Sequence, residues 1–301
     1  MPTIHRPKKG DLTHVLGAGV RYPRLLQKLY FEPLMISMPA FHGIERALES
    51  HFAGEAPRPR QDMGGDGPPE RVQRIYERHG RLGIIHVQGI IDKHVSLYEL
   101  DCYGGCDLND VDAAIELARA DTNVDQVLML INSPGGSATG VPETAQRVAR
   151  LRAEKEVTVF GDCQICSAAI YIASQASEII ITESTDIGSI GTYMALLDVT
   201  RMMEMEGLAM HLIKAGKFKA AGAPFKKLED EERELFQRQV DRLNASFVDA
   251  VSSGRPEVPR EAMEGQTFLG TEALEVGLAD GLALGLDEVM ETLGKAETLK
   301  I

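Results

Sequence analysis

The stretch "VLMLINSPGGSATG" (127–140) decides the fold. Five apolar residues, Val127 to Ile131, run into a polar turn that contains Pro134, Gly135 and Gly136. An apolar run of this length, closed by turn residues, reads as a strand buried on both faces. Adjacent glycines at its end free the backbone and leave amide N–H groups uncovered, as a close backbone approach requires. On its own, the Pro-Gly-Gly step is ordinary loop punctuation.

Outward from this point, strands and helices alternate. "LGIIHVQGII" (82–91) reads as a strand with a turn or bulge at Gly89, and "DVDAAIELARAD" (110–121) as an acid-capped helix. After the opening strand come a helix at 141–155, a strand "EVTVFG" at 156–161, a short helix at 167–176 and a strand "EIIIT" at 178–182. This alternation predicts an α/β fold with a mostly parallel sheet covered by helices. In such sheets function gathers at the carboxyl ends of the strands. "INSPGGS" (131–137) and "GDCQICS" (161–167) both lie there. Leu228, Leu235, Phe236, Val240, Leu243, Phe247 and Val251 stripe one face of a long helix that Gly254 stops. That stripe suits packing on the chain's own sheet or a subunit contact.

Before this region, "EPLMISMPAFHGIERALESHF" (32–52) reads as helical and interrupted by Pro39, and "GEAPRPRQDMGGDGPP" (54–69) has a linker's composition. The expected organisation is an N-terminal helical leader (1–53), a Pro/Gly-rich linker (54–80) and a catalytic domain (81–301).

Bulk properties narrow the function. The 301 residues are 44% hydrophobic and 26% charged, ordinary globular values. A formal net charge of −13 argues against a nucleic-acid binder. No apolar run approaches the ~20 residues of a membrane span, and the N-terminus lacks the pattern of a secretory signal. The protein is therefore expected in the cytoplasm. Cys102, Cys106, Cys163 and Cys166 have a spacing that invites zinc, but no histidine accompanies either pair. Reduced thiols, without metal, are the expectation, and no cofactor is implied.

Ser167 falls where a strand and polar turn give way to a helix. Serine there is a preferred cap, but the same place suits a nucleophile, because the Ala168 N–H points at whatever Ser167 attacks. A tetrahedral intermediate needs two converging donors, and Ala168 and Gly136 supply them. None of the eight histidines lies in or beside these two loops, although a Ser-His-Asp arrangement in space stays open. Lysine is the other base, from Lys214, Lys217, Lys219, Lys226 and Lys227. A general-base lysine must be neutral, hence enclosed in apolar surroundings. Lys219, followed by Ala220, Ala221 and Gly222, fits that need, and chemistry alone does not choose it over Lys217.

"INSPGG", "CSAAIYIAS", "DIGSIGTYM", "IKAGKFKAAGAPFKKLEDEER" and "TFLGTEALEVGLADGLALGLDEVM" together resemble the protease IV (signal peptide peptidase A) family of serine peptidases, in register from about Arg81 to Leu293. The resemblance implies the crotonase/Clp-protease-like fold of repeated β-β-α units and a Ser–Lys dyad. It makes Ser167 the nucleophile, Lys219 the general base, Ser189 a serine that positions the lysine, and Gly136 and Ala168 the oxyanion donors. It also implies a polypeptide substrate and a ring-like homo-oligomer with composite active sites. Ser167-Ala168-Ala169 stands where bacterial members usually have Ser-Gly-Gly, which predicts a narrower pocket. The membrane anchor common in bacterial members is not seen. The 32–52 segment resembles the leader of the phage minor-capsid-protein-C type, which cleaves capsid proteins inside the prohead. With the chain ending at Ile301, a scaffold would be a separate protein. A prohead protease is therefore the expected function, ahead of a soluble signal-peptide-degrading enzyme. A catalytically silent capsid or scaffold protein fits less well, since it has no need of Ser167 and Lys219, and an acyl-CoA enzyme of the same fold lacks these motifs.

Overall fold

The computed structural model describes residues 29–52, 68–95 and 105–299. Cys102 and the expected linker up to residue 67 lie outside them. In chain order the elements begin with β1 (Leu34–Ile36), α1 (Met38–Phe52), α2 (Pro68–Ile75), β2 (Tyr76–His79), β3 (Leu82–Gln88), β4 (Ile90–Asp92) and β5 (Gly105–Asp107). Next come α3 (Leu108–Ala120), β6 (Gln126–Asn132), β7 (Gly135–Ser137), α4 (Val141–Glu154), β8 (Glu156–Gly161), β9 (Gln164–Cys166), α5 (Ala168–Ala173), β10 (Glu178–Ile181) and β11 (Asp186–Gly188). The chain closes with α6 (Thr200–Met205), α7 (Asp230–Gly254), β12 (Thr267–Leu269), α8 (Gly270–Glu275), β13 (Gly281–Leu282) and α9 (Leu286–Leu299).

The fold is α/β with mixed sheets. The largest has six strands in the order β13-β10-β8-β6-β3-β2 and is parallel except for β2, which runs antiparallel to β3. Its central strand β6 carries the Val127–Ile131 run, and Val127, Leu128, Met129 and Ile131 are buried. Past the end of this sheet the chain turns into two smaller sheets, β1-β7-β4-β5 and β12-β11-β9. The Gly89 turn separates β3 from β4, with φ 88° at Gly89. The strand read at 82–91 is thus two strands in two sheets.

Helix starts follow local chemistry. Asp107 caps α3 by accepting from the Asn109 N–H at 2.9 Å. Pro142 sits in the first turn of α4, after Gly140 at φ 87°. Glu229 and Glu232 form a capping box at the start of α7.

Two expectations for the N-terminal region change. The helical reading of 32–52 fails for its first residues, because Leu34–Ile36 is a strand and the helix begins at Met38. Pro39 lies in the first turn of α1, where its missing N–H costs nothing, so it starts the helix and does not interrupt it. Within the stretch read as linker, residues 68–79 form α2 and β2. Arg71 ties α2 to α3 through Asp110 at 3.1 Å and Asp107 at 3.5 Å, and Val72 enters the main core.

The long helix α7 packs on its own domain at its C-terminal half. Phe247 is fully buried and stacks on Tyr171 of α5, with ring centroids 4.9 Å apart. Tyr171 also hydrogen-bonds the Ser246 hydroxyl at 2.9 Å. Leu235, Phe236 and Val240, nearer its start, are only half-buried. Among the described residues, no helix is long and apolar enough to cross a membrane.

Phe247→Ala empties the contact that seats α7 against α5. It is expected to lower unfolding stability by about 3–5 kcal/mol, read as a shifted midpoint in urea denaturation with an unchanged slope.

Candidate active site

Two strand-end loops meet beyond the six-stranded sheet. The Ser133 N–H donates to the Gln164 carbonyl at 2.9 Å, and the Cys166 N–H donates to the Ser133 carbonyl at 3.0 Å. The Ser133 hydroxyl accepts from the Gly135 N–H at 3.1 Å. The loop after β6 is thereby fixed against the loop after β8.

Both glycines are required by what surrounds them. Gly135 has φ 94°, and a Cβ built there would stand 2.1 Å from the Met35 carbonyl oxygen, 2.9 Å from Ser167 Cβ and 3.0 Å from the Ala168 nitrogen. A Cβ on Gly136 would stand 1.7 Å from the Ile91 carbonyl oxygen. Here the backbone of β7 approaches three other backbone segments with no room for a side chain.

Ser167 occupies a tight strand-to-helix turn, at φ 55° and ψ −116°. A non-glycine residue held at such a φ costs on the order of 1–3 kcal/mol and is over-determined by its surroundings. The Ser167 N–H donates to the Gly188 carbonyl at 2.8 Å, and its carbonyl accepts from Tyr171 N–H at 3.1 Å. Ser189 is also strained, at φ 54°, and its N–H donates to the Gln266 carbonyl at 2.8 Å. Ser167 and Ser189 line one cleft of about 520 Å³, together with Gln164, Asp186, Thr192 and Tyr193. The Thr192 and Tyr193 hydroxyl oxygens are buried without a hydrogen-bond partner, and burial pushes the Tyr193 phenol up to about 12.

Cys166, beside the serine, is no rival nucleophile. Burial pushes its thiol up to about 12, and its Sγ donates to the Asp186 carbonyl at 3.4 Å. Cysteine attacks as the thiolate. Cys106 is buried with its thiol also pushed up to about 12, whereas Cys163 is exposed. Among the described residues no group of three or more His, Cys, Asp and Glu side chains is placed to hold a metal.

The lysines stand apart from this cleft. Lys219 is exposed, its N–H donating to the Gly216 carbonyl at 3.3 Å, and it does not line the cleft that contains Ser167. Lys217 pairs with Glu231 at 2.6 Å, and the Lys214 ammonium donates to the Lys217 carbonyl. Lys226 bonds the buried Glu232 carboxylate at 2.6 Å. Burial pushes the Glu232 carboxyl up, yet the Lys226 ammonium and the Glu229 N–H outweigh it and hold it low. This pair fixes the end of the lysine segment to the start of α7. Ahead of Lys219, Leu208, Met210, Leu212, Ile213 and Phe218 are exposed, Ile213 by 97%.

Sequence reasoning missed the leader's part in the site. β1 pairs antiparallel with β7, with Met35 opposite Gly136, and Leu34 bridges Tyr193 on its other side. Residues 36–39 line the cleft over Ser167, which is 1% exposed. The available signal was Leu-Met-Ile, a short apolar run set between Pro33 and Pro39.

The sequence pattern of peptidase family S49 matches residues 149–300, from α4 to the end of α9, with Ser167, Ser189 and Lys219 inside the match. The chain belongs to peptidase family S49. Its relatives include capsid assembly protease C of Escherichia phage lambda, 27% identical over 287 residues, or 93% of this chain and 65% of that protein. The head-tail preconnector protein GP5 of Enterobacteria phage P21 is 27% identical over 288 residues, 93% of this chain and 56% of its own length. A putative protease of Methanocaldococcus jannaschii is 31% identical over 182 residues, 60% of this chain and 57% of that one. The chain thus spans less than two thirds of the length of each of these relatives. The similarity to the two phage proteins extends over 93% of this chain, whereas that to the archaeal protein covers 60%.

Gly136→Ala forces a methyl group into the Ile91 backbone. The expected result is a loss of about 1–3 kcal/mol of stability, the range for overpacking, with a lowered melting temperature by differential scanning calorimetry.

Proposed function

We propose that the chain is a serine endopeptidase working through a Ser167–Lys219 dyad, with a peptidase domain that begins at α2, whose Val72 enters the main core, and the leader preceding it. The observation that carries this reading is the strained turn at Ser167, held beside backbone nitrogens that no side chain covers. A serine on a sharp strand-to-helix turn presents its hydroxyl to an incoming carbonyl. Membership of a peptidase family supports the same reaction. The succession β3-β4, β6-β7, β8-β9 and β10-β11, each a longer strand followed by a short one in another sheet, supports the crotonase/Clp-protease type of fold.

In this mechanism the Ser167 Oγ attacks the scissile carbonyl carbon and its proton passes to neutral Lys219 Nζ. The carbonyl oxygen becomes an oxyanion and accepts from the Gly136 and Ala168 N–H groups. On collapse the C–N bond breaks, Lys219 gives the proton to the leaving amine, and Ser167 is left acylated. Water, deprotonated by Lys219, then attacks the ester carbon; the C–O bond to Ser167 breaks, Lys219 returns the proton to Oγ, and the acid is released. Ser189, on the wall of the same cleft, positions the lysine.

A lysine base needs apolar enclosure, and the exposed position of Lys219 does not supply it within one chain. We read the site as completed by a second copy that brings Lys219 over the Ser167 cleft. The exposed apolar residues at 208–218 and the half-buried start of α7 support a homo-oligomer. Two phage relatives aligning over 93% of the chain, leader included, favour a prohead role over the signal-peptide-peptidase role. The polypeptide substrate is then a capsid or scaffold protein, met in the host cytoplasm or inside the prohead.

A fluorophosphonate should label Ser167 at neutral pH, and Lys219→Ala should slow that labelling by roughly 10²–10⁴-fold, the usual worth of a general base. Ser167→Ala and Lys219→Ala proteins, each inactive, should regain capsid-protein cleavage when mixed and reassembled. Labelling that is unchanged in Lys219→Ala places the base elsewhere, and failure to complement removes the shared site.

A further inference from the structure

The leader strand β1 lies against the two features assigned to bind a scissile peptide. Its register fixes which atoms meet. The Ser37 N–H donates to the Pro134 carbonyl at 3.0 Å, and the Ala138 N–H donates to the Pro33 carbonyl at 3.2 Å. In an antiparallel ladder those bonds flank Ile36/Gly135 and Leu34/Ser137 as the non-hydrogen-bonded pairs, leaving Met35/Gly136 as the pair that exchanges N–H and C=O. The Met35 carbonyl oxygen therefore takes the Gly136 N–H. The same oxygen lies 2.1 Å from the point that is also 2.9 Å from Ser167 Cβ and 3.0 Å from the Ala168 nitrogen. A main-chain carbonyl thus already takes one of the two assigned oxyanion donors, beside the turn that holds Ser167.

The other edge of β1 is held as well. The Leu34 N–H donates to the Tyr193 carbonyl at 2.8 Å, and the Tyr193 N–H donates back to Leu34 at 3.1 Å. The strand is gripped on both edges, between β7 and Tyr193. Its side chains alternate, with Met35 in the main core while Leu34 and Ile36 join Phe41, Ile44 and Tyr193 in a second cluster. Beyond it, residues 36–39 line the same cleft as Ser167.

We propose that the slot between β7 and Tyr193 is the binding site for an extended, apolar peptide strand, and that residues 33–37 fill it in cis as a stand-in for substrate. The described chain is then a self-blocked form, and a substrate enters only when β1 withdraws. This rests on the assignment of Gly136, Ala168 and Ser167 above and adds the occupant, its register and its effect. It also states what the site selects: a strand with apolar side chains on both faces and a carbonyl in register with Gly136.

Leu34→Asp in the full chain puts a charge into the second cluster and should release β1. The measurements are the rate of Ser167 labelling by a fluorophosphonate, and binding of a fluorescent peptide with the sequence of residues 30–41. Folding is followed by circular dichroism. The folded variant should label roughly 10- to 1000-fold faster than the parent, the inverse of a minor open population of about 0.1–10%. It should bind the peptide, which the parent should not, and bound peptide should return labelling to the parental rate. A folded variant that labels at the parental rate, or peptide binding that leaves labelling unchanged, overturns the proposal. If no form labels at Ser167, the peptidase reading fails, and the peptide arm still decides the strand site: binding to the variant alone supports it and no binding overturns it. Should Leu34→Asp not fold, a specific cleavage sequence inserted between residues 54 and 67 leaves β1 native but severed. Labelling should then rise when the severed leader is removed at constant protein concentration and fall on adding the peptide, and a rate independent of both overturns the proposal.

Discussion

Everything at the candidate site depends on one steric constraint, the close approach of the β7 backbone to three neighbouring backbones. Neither Gly135 nor Gly136 has room for a Cβ. The approach sets the β7 backbone beside a serine held in a turn that serine rarely adopts. The large parallel sheet provides the rigid edge from which both loops leave, and hydrogen bonds between Ser133 and the β9 strand hold the loops together. Strain at Ser167 persists because its N–H is held by the Gly188 carbonyl and its carbonyl by the Tyr171 N–H, on a buried α5.

The same constraint makes the slot a receptor for backbone. A strand-shaped ligand is recognised mainly through main-chain hydrogen bonds, with side chains adding selectivity. In the described chain the strand paired with β7 is the leader's β1. Under the proposal, regulation and catalysis converge on one element: whatever moves β1 uncovers Ser167, and a lysine brought over the cleft supplies the base. On this account, blocking acts within a chain and activation acts between chains.

The central architecture was legible in the sequence because its signals are local. The Val127–Ile131 run, the Glu156–Gly161 strand and the Asp230–Gly254 helix each announce themselves by periodicity and capping. The places of Gly136, Ala168 and Ser167 at a strand end and a helix start were readable because such ends carry distinctive residues. The leader was misread because Leu-Met-Ile suits either a helix or a strand, and only its pairing with β7, about a hundred residues away in sequence, decides between them. Lys219 is exposed and does not line the Ser167 cleft, so its proposed role as base rests on a second copy, which neither spacing nor composition reports.

The most direct measurement is a crystal structure of the protein inactivated by a peptide aldehyde ending in methionine. The account predicts a hemiacetal on Ser167 Oγ, its oxygen about 2.7–3.1 Å from the Gly136 and Ala168 nitrogens. The inhibitor's backbone should pair with β7 in the place of β1. An adduct on another residue, or one whose oxygen points away from those two nitrogens, would contradict it.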